Sequence, residues 1–429
     1  MKKINVHKIL KEYKPQKPKK FYANIFRFLL FLVCLGKKIK YTYHFDKKQF
    51  KNKQTIFISD HSSRDTFYYS IKGYKLNNPN VVIGYQNVID KTFFRLFLKI
   101  GAIPKQLYTP DPKATKSMLR LLKEGCSLCF FPEGIQSVSG FSQPTNPATI
   151  KFLKAAKVDV ILAQSKGTYL NRPRFSKNYR HGPIEIDYYH LFSVEELQTL
   201  TEQELYEKYL EYFYYNDFAW NQKARNIYKG KEPNATKLDN ILFWCPKCNT
   251  QFNLFINNDK IECHNCNNSI TVNRYYDLIK TNEDSYLPYD RIDKWYLKQR
   301  EIVENEINNP DFKFEYDVIL RELKDNLEKV KEKVTGKGKI IIYPEKIIYV
   351  GTRNNQDVTL EFDIKLLPSA PMVSDIGNEF YYENGYYEFD PIDDTRIAVK
   401  VMIMIELLHN KLDPVWDKYS KDVFNKENL

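Results

Sequence analysis

"IFISDHSSRDTFYY", residues 56–69, ends a short apolar run on one histidine set between two aspartates, with serines beside it. Ile56, Phe57 and Ile58 are strand formers, so the run reads as a β-strand that stops at a polar loop. Further runs of the same kind follow: "NVVIGY" (80–85), "SLCFF" (127–131) and "VDVILAQ" (158–164). Between them "KTFFRLFLKI" (91–100) and "KATKSMLRLLKEG" (113–125) repeat apolar residues at helical spacing, the second ending on a glycine stop. Strand alternating with helix predicts an α/β domain with a mainly parallel sheet. In such sheets the chemistry sits in loops beyond the carboxyl ends of strands, where "SDHSSRD" and "PEGIQSVSG" both fall. That position marks His61 as a functional candidate rather than a buried structural histidine.

At 429 residues the chain is long for one domain, and two or three are expected. A 43% hydrophobic and 15% aromatic composition excludes the disordered class. The net charge of +13 points to a polyanionic partner, either nucleic acid or an anionic membrane face. Of the 7 cysteines, four form two Cys-x-x-Cys pairs, while Cys34, Cys126 and Cys129 lie in apolar runs. This is no disulfide framework. It fits a reduced compartment with one metal site.

The basic charge concentrates at the amino end. Residues 1–20 hold eight Lys against one Glu, and "FYANIFRFLLFLVCLG" (21–36) follows, closed by "KKIK". The apolar run is shorter than the ~20 residues that span a bilayer. No small-residue cleavage site follows it, as a signal peptide requires, and Val33 before Cys34 excludes a lipoprotein signal. An interfacial helix is expected, its flanking lysines meeting anionic headgroups at ~1 kcal/mol each. Residues 1–40 therefore read as a membrane-interfacial amino terminus of a peripheral or monotopic protein, on the cytoplasmic face of the cell membrane.

Residues 41–235 read as the α/β domain, ending in an aromatic-rich helical stretch (193–228) that opens on a Ser193/Glu196 capping box. After the polar linker "KGKEPNATK", residues 236–275 carry "FWCPKCNTQFNLFINNDKIECHNCNNSITVNR". Cys245, Cys248, Cys263 and Cys266 there make a four-thiolate set of the kind zinc prefers, with His264 left over. The shell is closed, so the expected Zn2+ is structural. Residues 276–429 read as charged helices, 290–307 and 318–334, then strands from 338 with an Asn384-Gly385 hairpin, then a helix near 393–409. That outline is a small α+β, pleckstrin-homology-like unit.

Taken in order, "DHSSRDTF" (60–67), "GYQNVIDKTFFRLFLKIGAIPKQ" (84–106), "KEGCSLCFFPEGIQSVSG" (123–140) and "VDVILAQSKGTYLNRPRF" (158–175) resemble the four blocks of the glycerolipid acyltransferase family. Lysophosphatidic acid acyltransferases are its best-known members. "FFPEG" with Ser137 and Gly140 is the most specific part. "GAIP", "GTYLNRPRF" and "YNDFAWNQ" are similar to bacterial members that also carry a Cys-x-x-Cys ribbon. The resemblance implies O-acyl transfer from an acyl thioester, on coenzyme A or acyl carrier protein, to a lysophospholipid hydroxyl, most simply lysophosphatidic acid to phosphatidic acid. A histidine suits the base that takes the hydroxyl proton, and a carboxylate suits its orienter. His61 and Asp65 take those roles, with Asp60 a second candidate orienter. Glu133, Gly134 and Ser137 would shape the acceptor site.

Two departures from the family pattern bear on the site. Three residues rather than four separate His61 from Asp65, which at i+4 are expected to face each other on one helical turn. Gln136 stands where the family has a phosphate-binding arginine, whose charge an amide cannot replace. Lys105, Arg172 and Arg174 are the candidates to replace it; otherwise the acceptor is a non-phosphorylated lipid or glycolipid. A nucleic-acid partner is not expected, since residues 238–275 lack a basic stripe. A zinc-ribbon nucleic-acid-binding protein stays as the alternative of another class, and a catalytically dead lipid-binding scaffold is a third.

Overall fold

The computed structural model describes residues 5–107, 111–325, 332–383 and 385–425. The strand Ile56–Ser59 is the centre of a seven-stranded sheet. It runs parallel to Leu128–Phe130 on one side and Val160–Lys166 on the other. Asn80–Gly84 and Ile103–Lys105 extend the parallel part beyond Leu128–Phe130. On the opposite flank Ile184–Phe192 runs antiparallel to Val160–Lys166 and carries Ile39–Tyr43 at the edge. Ile56, Phe57 and Ile58 are all fully buried, which is why the strand reads as a continuous apolar run.

Alternate side chains of this strand feed two apolar layers. Ile56 and Ile58 join Leu128, Leu121 and Leu153 on the face covered by the helices Pro112–Lys123 and Ala148–Ala156. Phe57 joins Cys129, Tyr69 and Tyr188 on the face covered by Thr66–Gly73 and Lys20–Val33. The helical stretch at 193–228 holds three helices, Val194–Thr199, Glu202–Phe213 and Asp217–Ala224. Ser193 and Thr201 each close a capping box, and Asn216 caps the third by accepting from the Ala219 amide.

The cysteine-rich segment forms a four-stranded antiparallel sheet whose last strand, Leu278–Lys280, lies past residue 275. The helix Ile292–Ile307 follows as expected. The segment 318–334 differs from expectation: it contributes to two strands, Phe314–Leu323 and Glu332–Ile342, with residues 326–331 outside the described set. Its charges find partners across strands rather than at i+4. Arg321 pairs with Asp390, and Glu322 with Arg353. Val318 and Leu320 alternate inward with no exposure, a strand period that dense charge obscured.

These strands belong to one seven-stranded antiparallel sheet, packed against the helix Ile397–Leu412 and followed by the helix Pro414–Phe424. Gly385 pairs with Tyr382 across the expected hairpin, whose Asn384 lies outside the described residues. A single apolar core runs from Val138 and Phe141 through Trp244, Ile261 and Val272 to Met402 and Leu408. The ribbon and the carboxyl-terminal unit are thus packed onto the α/β domain.

Candidate active site and candidate metal centre

Because five adjacent strands, from Val160–Lys166 to the edge strand Ile103–Lys105, are parallel, the loops after Ser59, Lys105, Phe130 and Lys166 emerge at one end of the sheet. His61 is two residues past the first of them. Its ring faces Phe131 at 5.1 Å between centroids, and its Nδ1 is buried without a hydrogen-bond partner among the described residues. Burial first, then the charge of Arg174, lowers its pKa from 6.5 to about 4, so the imidazole is neutral at physiological pH. Asp60 points away from the loop mouth. It accepts from the Ser165 amide at 2.7 Å, the Ser165 hydroxyl at 2.6 Å and the Ser62 amide at 3.2 Å. Burial raises its pKa to about 6 against those hydrogen bonds. Its oxygens are committed to tying two strand ends together, not to orienting His61.

Asp65 is not brought to His61 either. Its carboxylate takes Arg172 at 3.1 Å and the Tyr69 hydroxyl at 3.5 Å. The expected helical turn is absent because residues 62–65 form bends and turns, and the helix begins at Thr66. Ser62 is held by Thr66, Ser165 and Thr168, and Ser63 by Thr66. This hydroxyl network fixes the loop in a shape that turns Asp65 toward Arg172 and Tyr179.

Glu133 and Ser137 both touch the His61 segment, the Ser137 amide donating to the His61 carbonyl at 3.0 Å. One Glu133 carboxylate oxygen accepts the His61 amide at 2.5 Å, and the other accepts the Gln143 amide at 2.6 Å. Burial holds its pKa well above the usual carboxylate range. Gly134 takes φ +73°, the left-handed conformation a tight Glu-Gly turn requires. Ser137 is fully buried and closes the following turn, accepting from the Gly140 amide and donating to the Phe141 carbonyl. It supports the loop rather than facing a substrate.

Gln136 accepts a hydrogen bond from Arg174 Nη1 at 3.0 Å. The Arg174 Nε and Nη2 both donate to the Met372 carbonyl, at 3.0 and 2.6 Å. A guanidinium carries five N–H groups, so one remains on each of Nη1 and Nη2. Arg64 forms no ion pair among the described residues, and Lys105 donates to its neighbour's carbonyl, Gln106, at 2.9 Å. Burial lowers the pKa of Lys105 and of Arg64, the latter also through Arg172 and Arg174. Arg64 and Met372 carry no site signal in the sequence. One reads as a spacer in the His–Asp motif, and the other lies 198 positions from Arg174.

His61, Glu133, Arg64, Arg174 and Lys105 line one cleft of about 1500 Å³. Its apolar walls include Phe26 and Leu29 from the helix Lys20–Val33, with Phe67 and Phe131. The geometry is that of a neutral imidazole in a cleft with cationic side chains and hydrocarbon surface.

The four cysteine sulfurs of residues 245, 248, 263 and 266 lie within 4.8 Å of one another. Cys245–Cys266 and Cys248–Cys263 are each 3.7 Å apart. Four thiolates at ~2.3 Å from a tetrahedral ion sit about 3.8 Å apart, so the set fits such an ion. Each pair ends in an asparagine with positive φ, Asn249 and Asn267, whose amide returns to the first cysteine's carbonyl. His264 stacks on Phe255 at 4.1 Å, outside the sulfur cluster. No helix among the described residues is long and apolar enough to cross a membrane.

No family model and no curated protein matches the chain. Among solved structures, the fold is similar to the crystal structure of the 1-acyl-sn-glycerophosphate (LPA) acyltransferase PlsC from Thermotoga maritima, at TM-score 0.36 and 16% identity. That similarity covers 48% of this chain and 76% of that one.

Proposed function

We propose that the protein is an O-acyltransferase working at a membrane surface, with His61 as general base. The hydroxyl of a lipid acceptor gives its proton to the His61 imidazole as its oxygen attacks the thioester carbonyl. The new C–O bond forms, the C–S bond breaks, and the proton passes to the departing thiolate. The carrying observation is a neutral histidine at the carboxyl ends of a parallel sheet, set in a cleft with both apolar and cationic walls. Glu133 acts as a positioning residue through the His61 backbone. Arg64 and the two free N–H groups of Arg174 favour an acceptor with an anionic headgroup. Lysophosphatidic acid, giving phosphatidic acid, is the simplest such acceptor.

The helix Lys20–Val33 supports membrane contact. Phe21 and Phe28 are 69% and 60% exposed on it, beside Phe31, Leu32 and the basic flanks. The protein would lie on the cytoplasmic face of the cell membrane. Zn2+ is the expected ion of the cysteine cluster, held by Cys245, Cys248, Cys263 and Cys266 for structure.

The test is acyl transfer from an acyl-coenzyme A or acyl carrier protein onto a panel of acceptors in vesicles, wild type against His61→Ala. His61-dependent acylation of lysophosphatidic acid is expected. Transfer to no acceptor would end the enzyme proposal, and transfer to neutral lipids alone would reassign the acceptor.

A further inference from the structure

The cleft straddles the carboxyl end of the sheet. Phe130 ends its strand and Phe131 follows it, and their side chains go to opposite faces of the sheet. Phe130 packs against Phe152 at 5.9 Å, in the layer of Leu121 and Leu153. Phe131 packs against Phe67 at 5.8 Å, and Phe67 against Phe26, in the layer of Tyr69. Both phenylalanines line the same cleft as His61. The apolar lining therefore divides into two arms by sheet face, a first on the Phe131 side and a second on the Phe130 side.

The first arm is lined by Phe26, Leu29 and Leu30 of the helix Lys20–Val33. The second is lined by Thr149 and Phe152 and by Leu366, Met402 and Trp416 of the carboxyl-terminal unit. That unit is firmly seated. Met372 holds Arg174, the Ser374 hydroxyl donates to the Arg174 carbonyl, and Tyr419 packs edge-on to Tyr206 at 4.3 Å. The total space of about 1500 Å³ exceeds the roughly 300–1,000 Å³ of a site for one small ligand.

We infer that the carboxyl-terminal unit completes a second substrate arm, and that this arm takes the fatty acyl chain of the thioester donor. The inference rests on the acyl-transfer proposal and adds a sorting of the two hydrocarbon chains. The first arm's outer wall is the helix with exposed Phe28 and Leu32, which suits an acceptor dissolved in a bilayer. Lys365, Asn146 and Asp413, close in sequence to Leu366, Thr149 and Trp416, also line the cleft, polar groups that suit a donor whose carrier stays in water. In this arrangement the unit after residue 312 measures the donor chain, rather than acting as a separate recognition module.

The experiment is a donor chain-length series assayed on the full-length protein with one lysolipid acceptor, and an acceptor chain-length series with one donor. Thr149→Trp narrows the arm, Phe152→Ala widens it and Trp416→Ala alters it from the carboxyl-terminal unit. Thr149→Trp is expected to shift the preferred donor to shorter chains, losing about four-fold in kcat/KM per methylene excluded. Phe152→Ala and Trp416→Ala should shift it to longer ones, and the acceptor profile should hold for all three. A donor profile unchanged in folded, active variants would overturn the inference, as would a shift confined to the acceptor series. Absence of His61-dependent transfer in the wild type would remove the underlying proposal along with it. Transfer that is indifferent to these three residues would remove only the second arm.

Discussion

The carboxylate of Asp65 is held by the guanidinium of Arg172 at 3.1 Å, while the His61 Nδ1 has no partner among the described residues. His61→Ala should therefore cost far more than Asp65→Asn. Loss of a general base removes about 10²- to 10⁴-fold of rate. Asp65→Asn acts on His61 only at a distance and is expected to cost less than about ten-fold in kcat. Initial rates of the two purified variants decide it, and equal losses would mean that the aspartate orients the histidine during turnover.

Glu133 accepts two backbone amides, one of them from His61. Glu133→Gln leaves one acceptor oxygen and turns an NH2 toward an N–H group, stranding a buried donor at about 1–3 kcal/mol. Urea unfolding should show that loss, and kcat should fall with little change in acceptor KM. An unchanged midpoint would contradict the buried double contact.

The pKa of His61 is lowered from 6.5 to about 4. Between those values the folded state binds fewer protons at this site than the unfolded state. Its contribution to stability is therefore whole above pH ~6.5 and declines as pH falls toward 4. Asp60, raised from 3.8 to about 6, has the opposite sign: its contribution declines as pH rises through that window. Global stability mixes the two, so the check is the His61 ring titration followed by NMR. It should stay neutral down to about pH 5, and the acid limb of kcat/KM should lie well below 6.5.

One equivalent of zinc per chain is expected on metal analysis, and Cys263→Ser should abolish it. Cys245 and Cys263 belong to the same apolar core as Phe141 and Met402. Chelation should therefore lower the thermal midpoint of the whole protein rather than release the ribbon alone. A midpoint unmoved by complete metal removal would count against that coupling.

Phe28→Asp and Phe31→Asp replace exposed side chains on the amino-terminal amphipathic helix. Each should weaken sedimentation with anionic vesicles by roughly ten-fold or more, since burying one such ring is worth about 1.5–3 kcal/mol. Binding should also fall with added salt. Equal binding to neutral vesicles at all salt concentrations would count against the basic flanks.

The parallel strands were legible because Ile56, Phe57 and Ile58 are buried on both faces and carry no polar interruption. The sulfur cluster was legible because each knuckle needs only a few consecutive residues. The strand at 318–323 was not: Arg321 and Glu322 find their partners at Asp390 and Arg353, separations no local pattern encodes. The same holds at the cleft. Spacing put His61 and Asp65 on one turn, but the Ser62–Thr168 hydroxyl network, built from two distant loops, set the backbone instead. Gln136 read as a lost contact, whereas it supports an arginine brought from another strand end.

Arg174 being fastened by Met372 also has a bearing on biosynthesis. A chain made from its amino end can lay down the sheet and the His61 loop early, but not the cleft. The arginine lacks its Met372 contacts, and the wall at Trp416 does not exist, until the carboxyl-terminal unit has been made. On the acyl-transfer proposal, reactivity is thereby deferred until that unit has folded, which leaves the amino-terminal helix time to reach a membrane.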